Sequence, residues 1–133
     1  MAEVAAADRV LVVDDDPVVR ELIARVAAHA GNHVLRAETT EQALDLLAAE
    51  PVNLVLTDLG MPGTGGLRLL AKLSTLPATP PVVVVTACDE AAALRAARLL
   101  GARRIVQKPF SLDELREAIA DGLRPRKRSL AAA

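Results

Sequence analysis

The stretch Val10-Leu11-Val12-Val13-Asp14-Asp15-Asp16-Pro17-Val18-Val19 decides how this chain folds. It opens on an unbroken apolar run rich in β-branched residues, which suits a strand covered on both faces. Pro17 fits the first position of a helix, where the missing amide hydrogen costs nothing, and Asp16 stands where it can cap that helix. Val18, Val19, Leu22, Ile23, Val26 and Ala30 then recur at helical spacing. The stretch is a βα unit with an acidic turn at its junction.

The same alternation continues outward. Strands are expected at residues 10–13, 33–37, 53–57, 82–86 and 105–107. The first, third and fourth are nearly continuous apolar runs, as in the interior of a parallel sheet. A second helix starts at Thr39, where Gln42 completes a capping box. A third covers 66–74, and a fourth covers 89–100 before Gly101 stops it. The last begins with a second box, Ser111 with Glu114, and turns Leu115, Ile119 and Leu123 to one face. Five βα units in succession predict a doubly wound α/β sandwich around a parallel five-stranded sheet.

Composition bounds the rest. The 133 residues suit one domain, 52% apolar and 25% charged, with a net charge of −1 that gives no reason to expect nucleic acid. Phe110 is the only aromatic residue, so Ala, Val, Leu and Ile must build the core. A single cysteine, Cys88, excludes an internal disulfide. No run approaches the ~20 apolar residues of a membrane span. Residues 1–8 carry Glu3 and no basic segment, so they read as a flexible start rather than a secretory signal. A cytoplasmic protein is expected. The organisation is a unit over 9–123 followed by a basic tail, 124–133, which reads as a linker stub or cloning scar more readily than as a nucleic-acid contact.

In an open parallel sheet, functional groups gather beyond the carboxyl ends of the strands. Those ends supply Asp14 and Asp15, then Asp58, then Thr86, then Lys108. Carboxylates ~4 Å apart repel by about 4 kcal/mol at an effective dielectric of ~20, so such a cluster calls for a cation. Hard oxygen donors with room for water and phosphate favour Mg²⁺. Each residue has an ordinary alternative: Asp14 or Asp15 as a cap, Asp58 as a turn residue, Thr86 as a strand end, Lys108 as a surface lysine. Asp16 already fills the cap, and the five together, in this order, point to one crevice.

From about Arg9 to Leu123 the chain resembles the response-regulator receiver domains of bacterial two-component signalling. The likeness rests on Leu11-Val12-Val13-Asp14-Asp15-Asp16-Pro17, on Leu56-Thr57-Asp58-Leu59-Gly60-Met61-Pro62 with Gly66 beyond it, on Val84-Val85-Thr86-Ala87, and on Gly101-Ala102 leading into Lys108-Pro109-Phe110. The resemblance implies a flavodoxin-like fold with strand order 2-1-3-4-5. It implies that Asp58 accepts a phosphoryl group from a histidine kinase or a histidine phosphotransfer protein. Asp15, Asp58 and the backbone carbonyl of Gly60 would hold Mg²⁺, with Asp14 acting through water. Lys108, the Thr86 hydroxyl and the Ala87 amide would meet phosphoryl oxygens, and Lys108–Pro109 would be a cis peptide. Such a domain is a switch rather than an enzyme, although it assists its own phosphorylation and dephosphorylation. The fourth helix, last strand and last helix would face a partner or an output domain, and nucleic acid would enter only through such an additional domain.

Two positions depart from the family's habits. Ile105 stands where an aromatic residue often swings inward, which puts ring-flip signalling in doubt. Arg103 and Arg104, expected just before the last strand, replace acidic residues that one large transcription-factor subfamily uses in dimer contacts, and with Arg95 and Arg98 they would lend that face positive charge. His29 and His33 read as ordinary boundary residues and Cys88 as a small rim residue. Three rival readings remain. A haloacid-dehalogenase-like phosphatase would use Asp14 as nucleophile and Asp16 as acid, but leaves Asp58 without a role. A pseudo-receiver scaffold would not need the complete set of five residues. A flavin-binding protein would need aromatic residues this chain lacks.

Overall fold

The computed structural model describes residues 7–60 and 65–125. Residues 1–6 of the expected flexible start, 126–133 of the basic tail, and Met61, Pro62, Gly63 and Thr64 after the central strand lie outside the described residues. Ten elements alternate: β1 (Arg9–Val13), α1 (Pro17–His29), β2 (His33–Ala37), α2 (Thr40–Ala49), β3 (Leu54–Thr57), α3 (Gly65–Leu73), β4 (Val82–Thr86), α4 (Ala91–Leu99), β5 (Ala102–Gln107) and α5 (Leu112–Leu123). All pairings are parallel, and the sheet runs β2-β1-β3-β4-β5. This is the expected doubly wound order.

Side-chain alternation along the strands divides the core into two layers. Val10, Val12, Leu54, Leu56, Val83 and Val85 pack against Ile23 and Ala27 of α1 and Leu115 and Ile119 of α5. Leu11, Val13, Val55, Val82 and Val84 face the other way, against Leu69, Leu70 and Leu73 of α3 and Ala97 of α4. With both faces covered, the three central strands carry almost nothing but buried aliphatic residues. The predicted caps are present. Asp16 accepts from the amides of Val18 and Val19, Thr39 from Gln42, and Ser111 from Glu114, each satisfying a donor a helix start would otherwise strand.

β5 is where sequence and structure differ most. It begins at Ala102, not Ile105, so Arg103 and Arg104 lie within it. Strand pairing skips Arg103, because Val82 pairs with Ala102 while Val83 already pairs with Arg104. This bulge turns the Arg103 guanidinium to the end of α5, where Nη1 donates to the carbonyls of Asp121, Gly122 and Arg124. Arg103 is therefore a helix C-cap rather than surface charge. Arg104 lies 3.7 Å from the Glu117 carboxylate and is partly neutralised there. An edge strand with two arginines inside it carries little hydrophobic periodicity, which is why its start was illegible.

Candidate functional site

Strand register assembles the site. Val13 pairs with Thr57, so Asp14 and Asp58 leave adjacent strands side by side. The Asp58 amide donates to the Val13 carbonyl at 3.2 Å and the Asp14 amide to the Ala37 carbonyl at 3.1 Å, which extends the ladder into the acidic turns. Thr86 pairs with Gln107, and the Lys108 amide donates to the Thr86 carbonyl at 2.8 Å. The Lys108–Pro109 peptide is cis. Five residues predicted from strand ends thus come to one crevice at the carboxyl edge of the sheet.

A buried glycine holds the floor of that crevice in place. A Cβ on Gly66, in the first turn of α3, would stand 2.1 Å from the Asp58 carbonyl oxygen and 3.1 Å from the Leu59 Cα. Only a residue without a side chain lets α3 approach the Asp58 backbone so closely. The Thr57 hydroxyl donates to the same carbonyl at 3.1 Å.

Asp14, Asp15 and Asp58 each present a carboxylate oxygen within 4.8 Å of the others. Lys108 Nζ bridges two of them, 3.0 Å from Asp14 Oδ2 and 3.2 Å from Asp58 Oδ2. Asp15 is exposed and pairs with no cation among the described residues. Burial pushes the Asp58 carboxyl up, but the Thr86 hydroxyl, the Gly60 amide and the Lys108 ammonium outweigh it and hold the group below its ordinary value. Asp14 goes the other way. Burial raises it, and the Asp16 amide and Lys108 only partly offset that. Burial also works against the charge on Lys108, yet the two carboxylates keep its pKa above the ordinary lysine value. One ammonium among three carboxylates leaves negative charge uncompensated, and all the facing donors are hard oxygens. That set suits Mg²⁺.

The surroundings separate the rival readings. Asp16 Oδ1 accepts from the amides of Val18 and Val19, at 2.9 and 3.4 Å, so its side chain serves as the cap of α1. Asp58, largely buried and bonded by the Gly60 amide at 3.1 Å, sits in the centre of the cluster. Ala87 follows Thr86 without crowding the crevice, and Cys88 is half-buried at its rim. Two residues here were not singled out from sequence. Arg20 Nη1 donates to the Asp14 carbonyl at 2.8 Å and steadies the acidic turn. Gln107 Nε2 donates to the Cys88 carbonyl at 2.9 Å. An arginine one helical turn beyond an acidic cap was a signal for the first; nothing in the sequence marked the second. His29 and His33 lie at the opposite end of α1 and in β2, away from the crevice.

Comparison with known proteins agrees with this geometry. Sporulation initiation phosphotransferase F of Bacillus subtilis is 32% identical over 112 residues, covering 84% of this chain and 90% of that protein. The sensory/regulatory protein RpfC of Xanthomonas campestris is 38% identical over 117 residues, covering 85% of this chain but 16% of that protein. The positive alginate biosynthesis regulatory protein of Pseudomonas aeruginosa is 39% identical, with half its length covered. The chain therefore spans only a minor part of several relatives it matches. Among solved structures, a CheY-like receiver domain protein from Methanospirillum hungatei superimposes with a TM-score of 0.83 at 27% identity, covering 89% of this chain and 94% of that one. The receiver domain of NtrX from Brucella abortus gives 0.80 at 28% identity, covering 86% and 97%. The model of the response regulator receiver domain matches residues 10–120 without a break, from the first strand into the last helix, and the chain belongs to that family of phospho-accepting signalling domains.

Proposed function

We propose that Asp58 is the phospho-acceptor of this receiver and that residues 9–123 form the receiver domain. The observation that carries this is the position of Asp58. It directly follows the central strand, shares the carboxylate cluster with Asp14 and Asp15, pairs with Lys108, and is kept ionised by its neighbours. A carboxylate oxygen of Asp58 attacks the phosphorus of a phosphohistidine. The phosphorus–nitrogen bond breaks, its electron pair returns to the imidazole, and an acyl phosphate forms. Such transfer is governed by positioning and by neutralisation of oxygen charge. Lys108, already paired with Asp58, takes one phosphoryl oxygen, while the Thr86 hydroxyl and the Ala87 amide serve the others. Asp15, Asp58 and the Gly60 carbonyl, with Asp14 beside them, would hold Mg²⁺, which would supply further charge neutralisation.

The donor is a histidine kinase or a histidine phosphotransfer protein. The responsive face is α4, β5 and α5, through which a partner protein or an output domain reads the state. No helix among the described residues is long and apolar enough to cross a membrane, which fits a domain that meets its donor in solution. Incubation with Mg²⁺ and a small phosphodonor, borohydride trapping and mass spectrometry should find one phosphoryl group at Asp58. Equal labelling of Asp58→Asn would sink the assignment, and labelling at Asp14 would favour a phosphatase.

A further inference from the structure

We propose that Gln107 is a positioning residue for the phosphoryl site, holding Thr86 through the Cys88 peptide and favouring the unphosphorylated arrangement. The inference rests on the reading of Asp58 and Thr86 given above. Gln107 and Thr86 are paired across β4 and β5, so the glutamine stands beside the residue it influences. Its Nε2 donates to the Cys88 carbonyl at 2.9 Å. A carbonyl only accepts, so the amide nitrogen must face it. Cys88 is held on the other side of its Cα as well, because its amide donates to Thr86 Oγ1 at 3.1 Å. One residue, Cys88, held through its amide on one side and its carbonyl on the other, links an exposed β5 side chain to the buried Thr86 hydroxyl.

This linkage matters because the Thr86 hydroxyl has a single proton. With one lone pair accepting from Cys88, the hydroxyl keeps its proton for an acceptor in the crevice. Phosphorylation replaces a carboxylate oxygen with a bulkier group carrying three further oxygens. The Thr86 hydroxyl and the Ala87 amide must re-aim to meet them, and the 86–88 segment moves with them. Any such movement stretches the contact to Gln107, whose backbone is fixed by strand pairing. The contact is therefore made in one state and weakened in the other, which is the differential interaction a bias between states requires. Gln107 touches neither acceptor nor metal donors, so its influence separates from metal binding.

The test is titration of the Mg²⁺-loaded chain with beryllofluoride, followed by amide NMR, in the parent and in Gln107→Leu, Gln107→Met and Gln107→Asn. Leu and Met approximate the shape without the donor, and Asn keeps the amide one methylene short of Cys88. All three should bind beryllofluoride about two- to tenfold more tightly, the range expected when one modest hydrogen bond favouring the unloaded state is removed. The Mg²⁺ midpoint should stay at its parental value, since Gln107 is exposed and away from the carboxylates, while the melting temperature without beryllofluoride should fall by a few degrees at most, because the lost bond belonged to the unloaded state. Unchanged or weaker beryllofluoride binding in Leu and Met overturns the role of Gln107, as does parental behaviour in Asn. A parent that binds no beryllofluoride at Asp58 instead overturns the reading of the site itself.

Discussion

Replacing Gly66 by alanine sets two physical effects against each other, and the structure says which wins. Gly66 lies in the first turn of α3, where propensity alone favours alanine over glycine by up to about 1 kcal/mol. The new Cβ, however, would stand 2.1 Å from the Asp58 carbonyl oxygen, 2.9 Å from its carbon and 3.1 Å from the Leu59 Cα. All three are backbone atoms, so no rotamer relieves the contact. Either α3 lifts off or β3 yields, and overpacking of this kind costs about 1–3 kcal/mol or more. We expect Gly66→Ala to be destabilised by roughly 1–2 kcal/mol net, lowering the melting temperature by about 4–8 °C. The chain has no Trp or Tyr, so circular dichroism of its helices is the suitable probe of urea and thermal unfolding. Mg²⁺ binding should weaken in parallel, because the displaced backbone carries Asp58. A Gly66→Ala protein as stable as the parent, or more so, would refute the close approach of α3 to Asp58.

Further outcomes follow from the same contacts. Gly122→Ala should cost less than Gly66→Ala, because its Cβ meets Leu54 and Val83 methyl groups, 2.6 Å at the nearest, which can shift; a larger loss by urea melts would contradict this. Mg²⁺ should raise the melting temperature by relieving repulsion among Asp14, Asp15 and Asp58, and Asp15→Ala should remove that gain; a persisting gain would place the ion elsewhere. Lys108→Met should lower stability at neutral pH by about 1–3 kcal/mol and enlarge the stabilisation by Mg²⁺. The sign with pH is set by the two partners. Asp58, held below its ordinary 3.8, loses its contribution as pH falls through its lowered value, and Lys108, held above 10.5, loses its own as pH rises through its raised value. The deficit of Lys108→Met should therefore be flat across neutral pH and shrink towards both extremes; a deficit undiminished in strong acid would count against the ion pair.

The legible parts of this molecule were those where one residue type has one physical purpose. An unbroken run such as Val82–Thr86 fits a doubly covered strand and little else, and Asp16-Pro17 fits a helix start. The acidic crevice could be read because parallel strands all deliver their carboxyl ends to one edge, so listing those ends also located the site. What escaped depended on three-dimensional reach. Arg103 looked like surface charge, but the bulge in β5 sends it across the sheet edge to the last carbonyls of α5. Gln107 went unmarked, since its partner is a backbone carbonyl nineteen positions away, and backbone groups carry no sequence signature. Gly66 was marked by the family pattern, but its reason, the Asp58 carbonyl behind it, is visible only in space.

Ile105 narrows what kind of switch this can be. It pairs with Val84, is half-buried, and packs against the layer formed with α3 and α4. A branched side chain in that setting is stiff about χ1 and has no ring to move between an exposed and a buried pocket. A two-state bias carried by such a residue is small, because its contacts differ little between the rotamers open to it. A ligand shifts an equilibrium only by its differential interaction with the two states. The difference must then come from polar groups nearer the acceptor: the Thr86 hydroxyl, the Cys88 peptide and the Lys108 ammonium, each with a partner set that phosphorylation alters. On that basis beryllofluoride should shift amide resonances mainly within 88–107, by local rearrangement rather than by movement of whole helices. Large shifts concentrated instead on α1 and β2 would mean that the response leaves the site by the other face of the sheet.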